Sequence, residues 1–217
     1  HELKTPVFAV QGYILTLIEG GIDDKQVNVQ FLERASRATE RIVNILEDLD
    51  QIAKLEVDAL KIEMRSFEMI DLIKEIVETL ELKAKEKNIS LKFQNDLSSI
   101  YVTADRNKIS QVLTNLINNA ISYGKIDGEV VISAVPIDDL VTIEVKDNGI
   151  GIDTVHFPRL FERFYRVEKS RNRNEGGTGL GLAIVKHIIE SHQQSINVRS
   201  SIGIGSTFSF SLKKSNV

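Results

Sequence analysis

No cysteine occurs among the 217 residues. Disulfides, thiolate metal sites and cysteine nucleophiles are thereby excluded, and a reducing compartment is permitted without being required. Nor is there an uninterrupted apolar run near the roughly 20 residues that a membrane-crossing helix needs, or a stretch ordered like a signal peptide. Neither sign of charge dominates: 27 Lys and Arg stand against 31 Asp and Glu, a formal −4, which argues against a nucleic-acid partner. Internal repeats and low-complexity tracts are missing as well.

What is present, 42% apolar and 27% charged residues, fits a soluble globular chain long enough for one or two domains. The acidic excess is local: residues 1–56 carry six basic and ten acidic side chains, whereas the remainder has 21 of each. The chain begins on His1 rather than Met, inside an expected helix, and reads as a fragment whose upstream region, with any targeting information, lies outside it.

Residues 7–18 are apolar on a wide face, and Gly20-Gly21 with Asp23-Asp24 predicts a stop and a turn. Pro6 has no amide hydrogen, so a bend is expected just past His1. From Asn28 to Glu56 the positions Phe31, Ala35, Ala38, Ile42, Ile45, Leu49 and Ile52 alternate steps of four and three, a coiled-coil seam. Leu32, Thr39, Leu46 and Leu55 widen it, more than one hairpin can bury. Pairing of two hairpins is therefore expected, a homodimer built on a four-helix bundle; a hairpin packed on its own second domain would meet the same pattern.

Residues 1–58 form the expected hairpin, 59–66 a linker, and 67–217 a second domain. There, helices are expected over 68–87, 106–122 and 180–192. Strands are expected at 89–93, near Tyr101-Val102, and at 129–135, 141–145, 196–199 and 207–212. Antiparallel strands with helices on one face give an α+β two-layer sandwich.

Several clusters in this second domain point to chemistry. Gly176-Gly177-Thr178-Gly179-Leu180-Gly181 precedes an apolar helix, and closely spaced amides at a helix N-terminus can cradle phosphate. It is neither a Walker loop, lacking Gly-Lys-Ser/Thr, nor a Rossmann fingerprint, since no strand feeds into it; turn glycines would look alike. Asp147-Asn148-Gly149-Ile150-Gly151-Ile152 ends a strand, where a carboxylate can accept from an exocyclic amine and glycines admit a flat base. A plain strand-terminating turn fits equally. Asn115 and Asn119 lie four apart on one helix face, where one amide oxygen suffices for nucleotide-bound magnesium, or where both are structural. Arg159–Arg173 contains six basic residues against Glu162 and Glu168, the composition of a phosphate-facing lid or of a solvated loop. His1-Glu2-Leu3-Lys4-Thr5-Pro6 alone proves nothing: with Thr at position 5 and no second His nearby, a zinc-protease motif is ruled out.

In order and spacing, Asn115–Tyr123, Asp147–Gly151, Phe161–Arg166 and Gly177–Gly181 resemble the N, first-glycine, F and second-glycine boxes of sensor histidine kinases. His1–Pro6 resembles their phosphoacceptor box. Gyrase-like and mismatch-repair ATPases share the nucleotide fold by resemblance but lack the F box and the histidine-bearing hairpin. The resemblance implies a dimerisation and phosphotransfer hairpin followed by a catalytic domain of the histidine-kinase ATPase type. ATP would bind there with adenine on Asp147, Mg2+ on Asn119, and phosphates on the loop Gly177, Thr178, Gly179, Leu180 and Gly181. Asn115, Gly149, Gly151 and Thr207 would belong to the same site, Tyr123 and Ile152 would line the base pocket, and Arg166 would reach the phosphates. One departure stands out, since Ser122 occupies a position that is usually Lys or Arg; Lys125 and Arg163 are candidates to compensate.

By the same resemblance His1 is the nucleophile, Glu2 fixes its tautomer, and Thr5 would orient a water for the reverse phosphatase reaction, unless it is a helix-face residue without a role. A response-regulator receiver domain would accept the phosphoryl group on an aspartate. The chain would be the cytoplasmic portion of a membrane-anchored bacterial sensor, the membrane entering only through the missing upstream region. A nucleotide-holding scaffold and an ATPase driving dimer closure are the rival readings.

Overall fold

A computed structural model of the chain describes residues 3–58, 62–95, 97–167 and 179–215, without the side chains of 48 and 51–58. They form two compact units. The first is a helical hairpin of α1 (Lys4–Thr16) and α2 (Asn28–Asp58). Pro6 lies in the first turn of α1, where an amide has no intrahelical acceptor, so the proline removes no bond from the described helix. The bend expected beside His1 falls outside the described residues. α1 winds into one π-helical turn, Leu17–Gly21, in which the Ile22 amide reaches back to the Leu17 carbonyl at 3.1 Å, and Asn28 Nδ2 closes the connection on the Ile22 carbonyl at 3.1 Å. The Tyr13 and Phe31 rings, 5.8 Å apart, join the helices. Along α2, Ile45 is buried and Phe31, Ala35, Ala38, Ile42 and Leu49 are half-buried, while the widening residues Leu32 and Leu46 stay exposed.

The second unit packs α3 (Met69–Lys85), α4 (Arg106–Tyr123) and α5 (Gly181–Ser191) on one face of a seven-stranded sheet. Its strands are β1 (Arg65–Glu68), β2 (Ser90–Gln94), β3 (Tyr101–Ala104), β4 (Glu129–Ile137), β5 (Leu140–Asp147), β6 (Ile196–Ser201) and β7 (Gly205–Lys214). The order is β1-β3-β7-β5-β4-β2, with β6 on the first half of the β7 edge whose far end takes β3. Strict alternation builds the core: Val130, Ile132 and Ala134, Val141, Ile143 and Val145, and Phe208, Phe210 and Leu212 all turn inward. Helix termini are set by side chains. Glu68 caps α3 and also accepts the Ile100 amide at 2.7 Å, and buried Asp105 caps α4 through the Asn107 and Lys108 amides, each at 3.1 Å.

Two features depart from the sequence reading. The sheet is mixed rather than antiparallel, because β2 runs parallel to β4; the chain passes through β3 and α4 between them, long enough for a crossover. Arg65 and Ser66, expected at the end of a linker, belong to β1 and pair with β3. Four residues on a sheet edge are too few to announce themselves by alternation.

Candidate nucleotide site

The site is assembled by α4, the loop after β5, the β6–β7 hairpin and the start of α5. In α4 the buried residues Ile109, Val112, Leu113, Leu116, Ile117, Ala120 and Ile121 claim one face, so Asn115, Asn118, Asn119 and Ser122 are left half-buried along its flank. Asn115 faces the opening of α5: a Cβ on Gly181 would lie 3.3 Å from its Oδ1. Asn118 accepts the Lys83 ammonium at 2.7 Å, which separates its role from that of Asn119. The Lys87 ammonium donates to the Ser122 carbonyl at 2.9 Å, and Lys125 donates to the Gly203 carbonyl at 2.7 Å.

Asp147, at the end of β5, is buried on the helix-facing side of the sheet. Its Oδ1 accepts the Gly149 amide at 2.8 Å and the Ser206 amide at 3.3 Å. Burial pushes its carboxyl above the usual carboxylate value, against the opposing pull of those two amides. Around it the loop is pressed so tightly that side chains are excluded. A Cβ on Gly149 would lie 2.4 Å from the Tyr123 carbonyl, and one on Gly151, at φ +71°, would lie 2.0 Å from the Ser201 carbonyl. The Ile150 amide bonds the Tyr123 carbonyl at 3.2 Å, and Ile152 donates to Ser200 Oγ at 2.8 Å. Asp147, Gly149, Gly151, Ile152 and the backbone of Tyr123 thus come together, while the Tyr123 ring is largely exposed.

Before α5, Gly179 meets the segment 161–166: the Phe164 amide donates to its carbonyl at 2.9 Å. Phe164 itself has φ +63°, an unusual conformation for an aromatic residue. Leu180 is fully buried and leads into α5, whose N-terminus presents partial positive charge. Arg166 Nε is buried without a hydrogen-bond partner among the described residues. Tyr165 is fixed by His156 Nδ1 at 2.7 Å from its hydroxyl and by the Arg159 guanidinium 4.4 Å from its ring centroid. His1, Glu2, Gly177, Thr178 and the basic residues 169, 171 and 173 lie outside the described residues; Thr5 is exposed in the first turn of α1.

Thr207 does not join the group. It pairs with Lys146 on β5, so its side chain stands on the sheet face opposite Asp147, and Ser206 is the residue that comes beside Asp147. The sequence reading also missed Ser200. Both positions depend on the register of the β6–β7 hairpin, in which Ser200 pairs with Ser206.

The family model for histidine kinase-, DNA gyrase B-, and HSP90-like ATPases matches residues 104–216, and that for the His kinase A (phospho-acceptor) domain matches residues 1–57. The chain belongs to the sensor histidine kinases. It is 35% identical over 214 residues to the sensor histidine kinase WalK of Bacillus subtilis, a match taking in 98% of this chain and 35% of the relative, so the chain spans about a third of that protein. Among solved structures, the Acinetobacter baumannii histidine kinase AdeS is similar with a TM-score of 0.74 and 26% identity, over 100% of this chain and 98% of that one. Histidine kinase ThkA in complex with response regulator protein TrrA is similar with a TM-score of 0.72 and 26% identity, over 99% and 59%. The hairpin followed by an α/β sandwich is the histidine-kinase arrangement.

Proposed function

We propose that the chain is an ATP-dependent autophosphorylating protein histidine kinase that passes its phosphoryl group to an aspartate of a response-regulator receiver domain. The observation that carries this reading is Asp147: a buried carboxylate with one oxygen held by two backbone amides and the other left to accept an exocyclic amine. Asn115 against the Gly181 opening of α5 supports a phosphate and metal site beside it. Among the described residues no cluster of three or more His, Cys, Asp or Glu exists to cage a metal, which suits an ion held by Asn119 and by phosphate oxygens. When bound, magnesium would neutralise charge on those phosphates.

In this proposal His1 Nε2 attacks the γ-phosphorus in line as the bond to the β-phosphate oxygen breaks and ADP leaves. Glu2 accepts the proton-bearing Nδ1–H and stabilises the imidazolium that forms. Arg166, with its unpartnered Nε, is the lid residue assigned to the phosphates. Thr5, exposed in the first turn of α1, is assigned to orienting water for hydrolysis of the partner's phosphoaspartate. The hairpin 1–58 and the catalytic domain are joined by a linker that ends before β1 begins at Arg65 and that has to let one swing onto the other. The exposed apolar flank of the hairpin, with Phe8, Ile18, Leu32 and Leu46, supports a homodimer. The similar ThkA was solved with a response regulator, which supports the same class of partner here; the chain spans about a third of WalK, a sensor histidine kinase, and we place it as the cytoplasmic part of a membrane-anchored sensor.

Asn119→Ala tests the metal assignment. Magnesium-dependent ATP binding should be lost by titration calorimetry while the dimer persists; undiminished binding moves the metal elsewhere.

A further inference from the structure

Resting on the nucleotide-binding reading above, we infer that Ser200 is a positioning residue that sets the base specificity of the site through Ser206. Ser200 Oγ has three polar neighbours: the Ile152 amide at 2.8 Å, the Gly205 carbonyl at 2.8 Å and Ser206 Oγ at 2.9 Å. A hydroxyl has one proton and two lone pairs. The amide can only donate and the carbonyl can only accept, so the Ser200 proton is committed to Gly205 and one lone pair to Ile152. The remaining lone pair must take the proton of Ser206. Ser206 is thereby stripped of its donor and offers the site lone pairs alone.

Its position makes that polarity matter. Lys146 pairs with Thr207 across β5 and β7, so Ser206 comes opposite Asp147 on the same sheet face. It is buried there and donates its amide to Asp147 Oδ1. Two acceptors, the free Asp147 oxygen and Ser206 Oγ, then stand side by side. A base edge carrying an exocyclic amine satisfies them, whereas the carbonyl that guanine presents at the equivalent position meets lone pairs with lone pairs. The Ser200 hydroxyl also holds the Ile152 amide and so fixes the loop from Asp147 to Ile152 at its far end. Ser200 touches no base; it acts through Ser206 and the loop.

The test is direct binding of ADP and of GDP to the full chain, read by calorimetry, for the parent protein, Ser200→Ala, Ser200→Thr, Ser206→Ala and the double variant Ser200→Ala with Ser206→Ala. Ser200→Ala frees the Ser206 proton and should shrink the preference for ADP over GDP by about tenfold, the scale set by leaving one buried polar group mismatched. Ser206→Ala should shrink it similarly, the double variant should lose no more than either single one, and Ser200→Thr should keep the parent ratio. A residue with only a structural role would weaken both nucleotides alike, and an unchanged ADP/GDP ratio in Ser200→Ala and Ser206→Ala overturns the inference. Should Ser200→Ala not fold, Ser206→Ala alone decides by the same ratio. A parent protein that binds neither nucleotide contradicts the nucleotide-site reading itself, a different failure from an unchanged ratio.

Discussion

Asp147 carries two opposed demands. The pocket has to be dry for a hydrogen bond to an amine to be strong, yet dryness penalises the ionised carboxylate, and its pKa is raised accordingly. With the folded value above the unfolded one, the stability contribution of this group is fully present below the unfolded carboxylate pKa and is lost as pH rises through the folded one. The unliganded protein therefore carries a stability cost at neutral pH that Asp147→Asn removes. Thermal melts of the variant without nucleotide should lie above those of the parent at pH 7, and the gap should close as pH falls below about 3.9. ADP affinity should fall by about 10- to 100-fold in the same variant, as expected for a charged hydrogen bond of roughly 1.5–3 kcal/mol. In the parent, affinity should weaken as pH drops through the raised pKa. A variant both less stable at pH 7 and equal in affinity contradicts this account. Gly151 is constrained more simply: a Cβ would lie 2.0 Å from the Ser201 carbonyl, at φ +71°. Gly151→Ala should lose at least ~2 kcal/mol in urea unfolding, and an unchanged midpoint would mean that the hairpin can retreat.

At the level of elements, the helices and all strands but β1 were legible in the sequence. α2, α3, α4 and α5 follow from apolar spacing and lie within about two residues of the expected ends, because each buries one continuous face. β4, β5 and β7 were legible from alternation, although β7 starts two residues earlier than its hydrophobic pattern, at Gly205. Thr207 was expected in the site from the resemblance, whereas alternation with the inward Phe208, Phe210 and Leu212 turns Thr207 to the other face and Ser206 toward Asp147. β1 was missed since its partner β3 lies far along the chain and no local pattern encodes the pairing; the parallel register of β2 on β4 is likewise a tertiary fact. The glycine and carboxylate motifs were legible as residues, but no spacing reveals the backbone contacts that join them, Gly149 and Ser206 to Asp147 and Phe164 to Gly179. The hairpin makes its own prediction. Its seam is covered and its flank, with Leu32 and Leu46, is not. Leu32→Glu with Leu46→Glu should convert a dimer to a monomer by light scattering, with helical content and ADP binding retained. A dimer that survives both charges would rule out that flank as the bundle core.

The whole molecule joins two units of unlike character, a hairpin with uncovered apolar surface and a well-packed sandwich holding a nucleotide site. Neither unit alone offers both a phosphoryl donor and an acceptor, so the function proposed for the chain exists only when the two cooperate. The site explains why a domain would bind ATP; on the proposed reading, the hexapeptide His1–Pro6 is where the phosphoryl group would go. The most direct measurement of that link is incubation of the full chain with γ-labelled ATP and magnesium, followed by acid and alkali treatment of the labelled protein. A phosphohistidine predicts label that survives alkali, is lost in acid and is absent from His1→Gln, with ADP binding of that variant intact. Label that persists in His1→Gln would contradict the account.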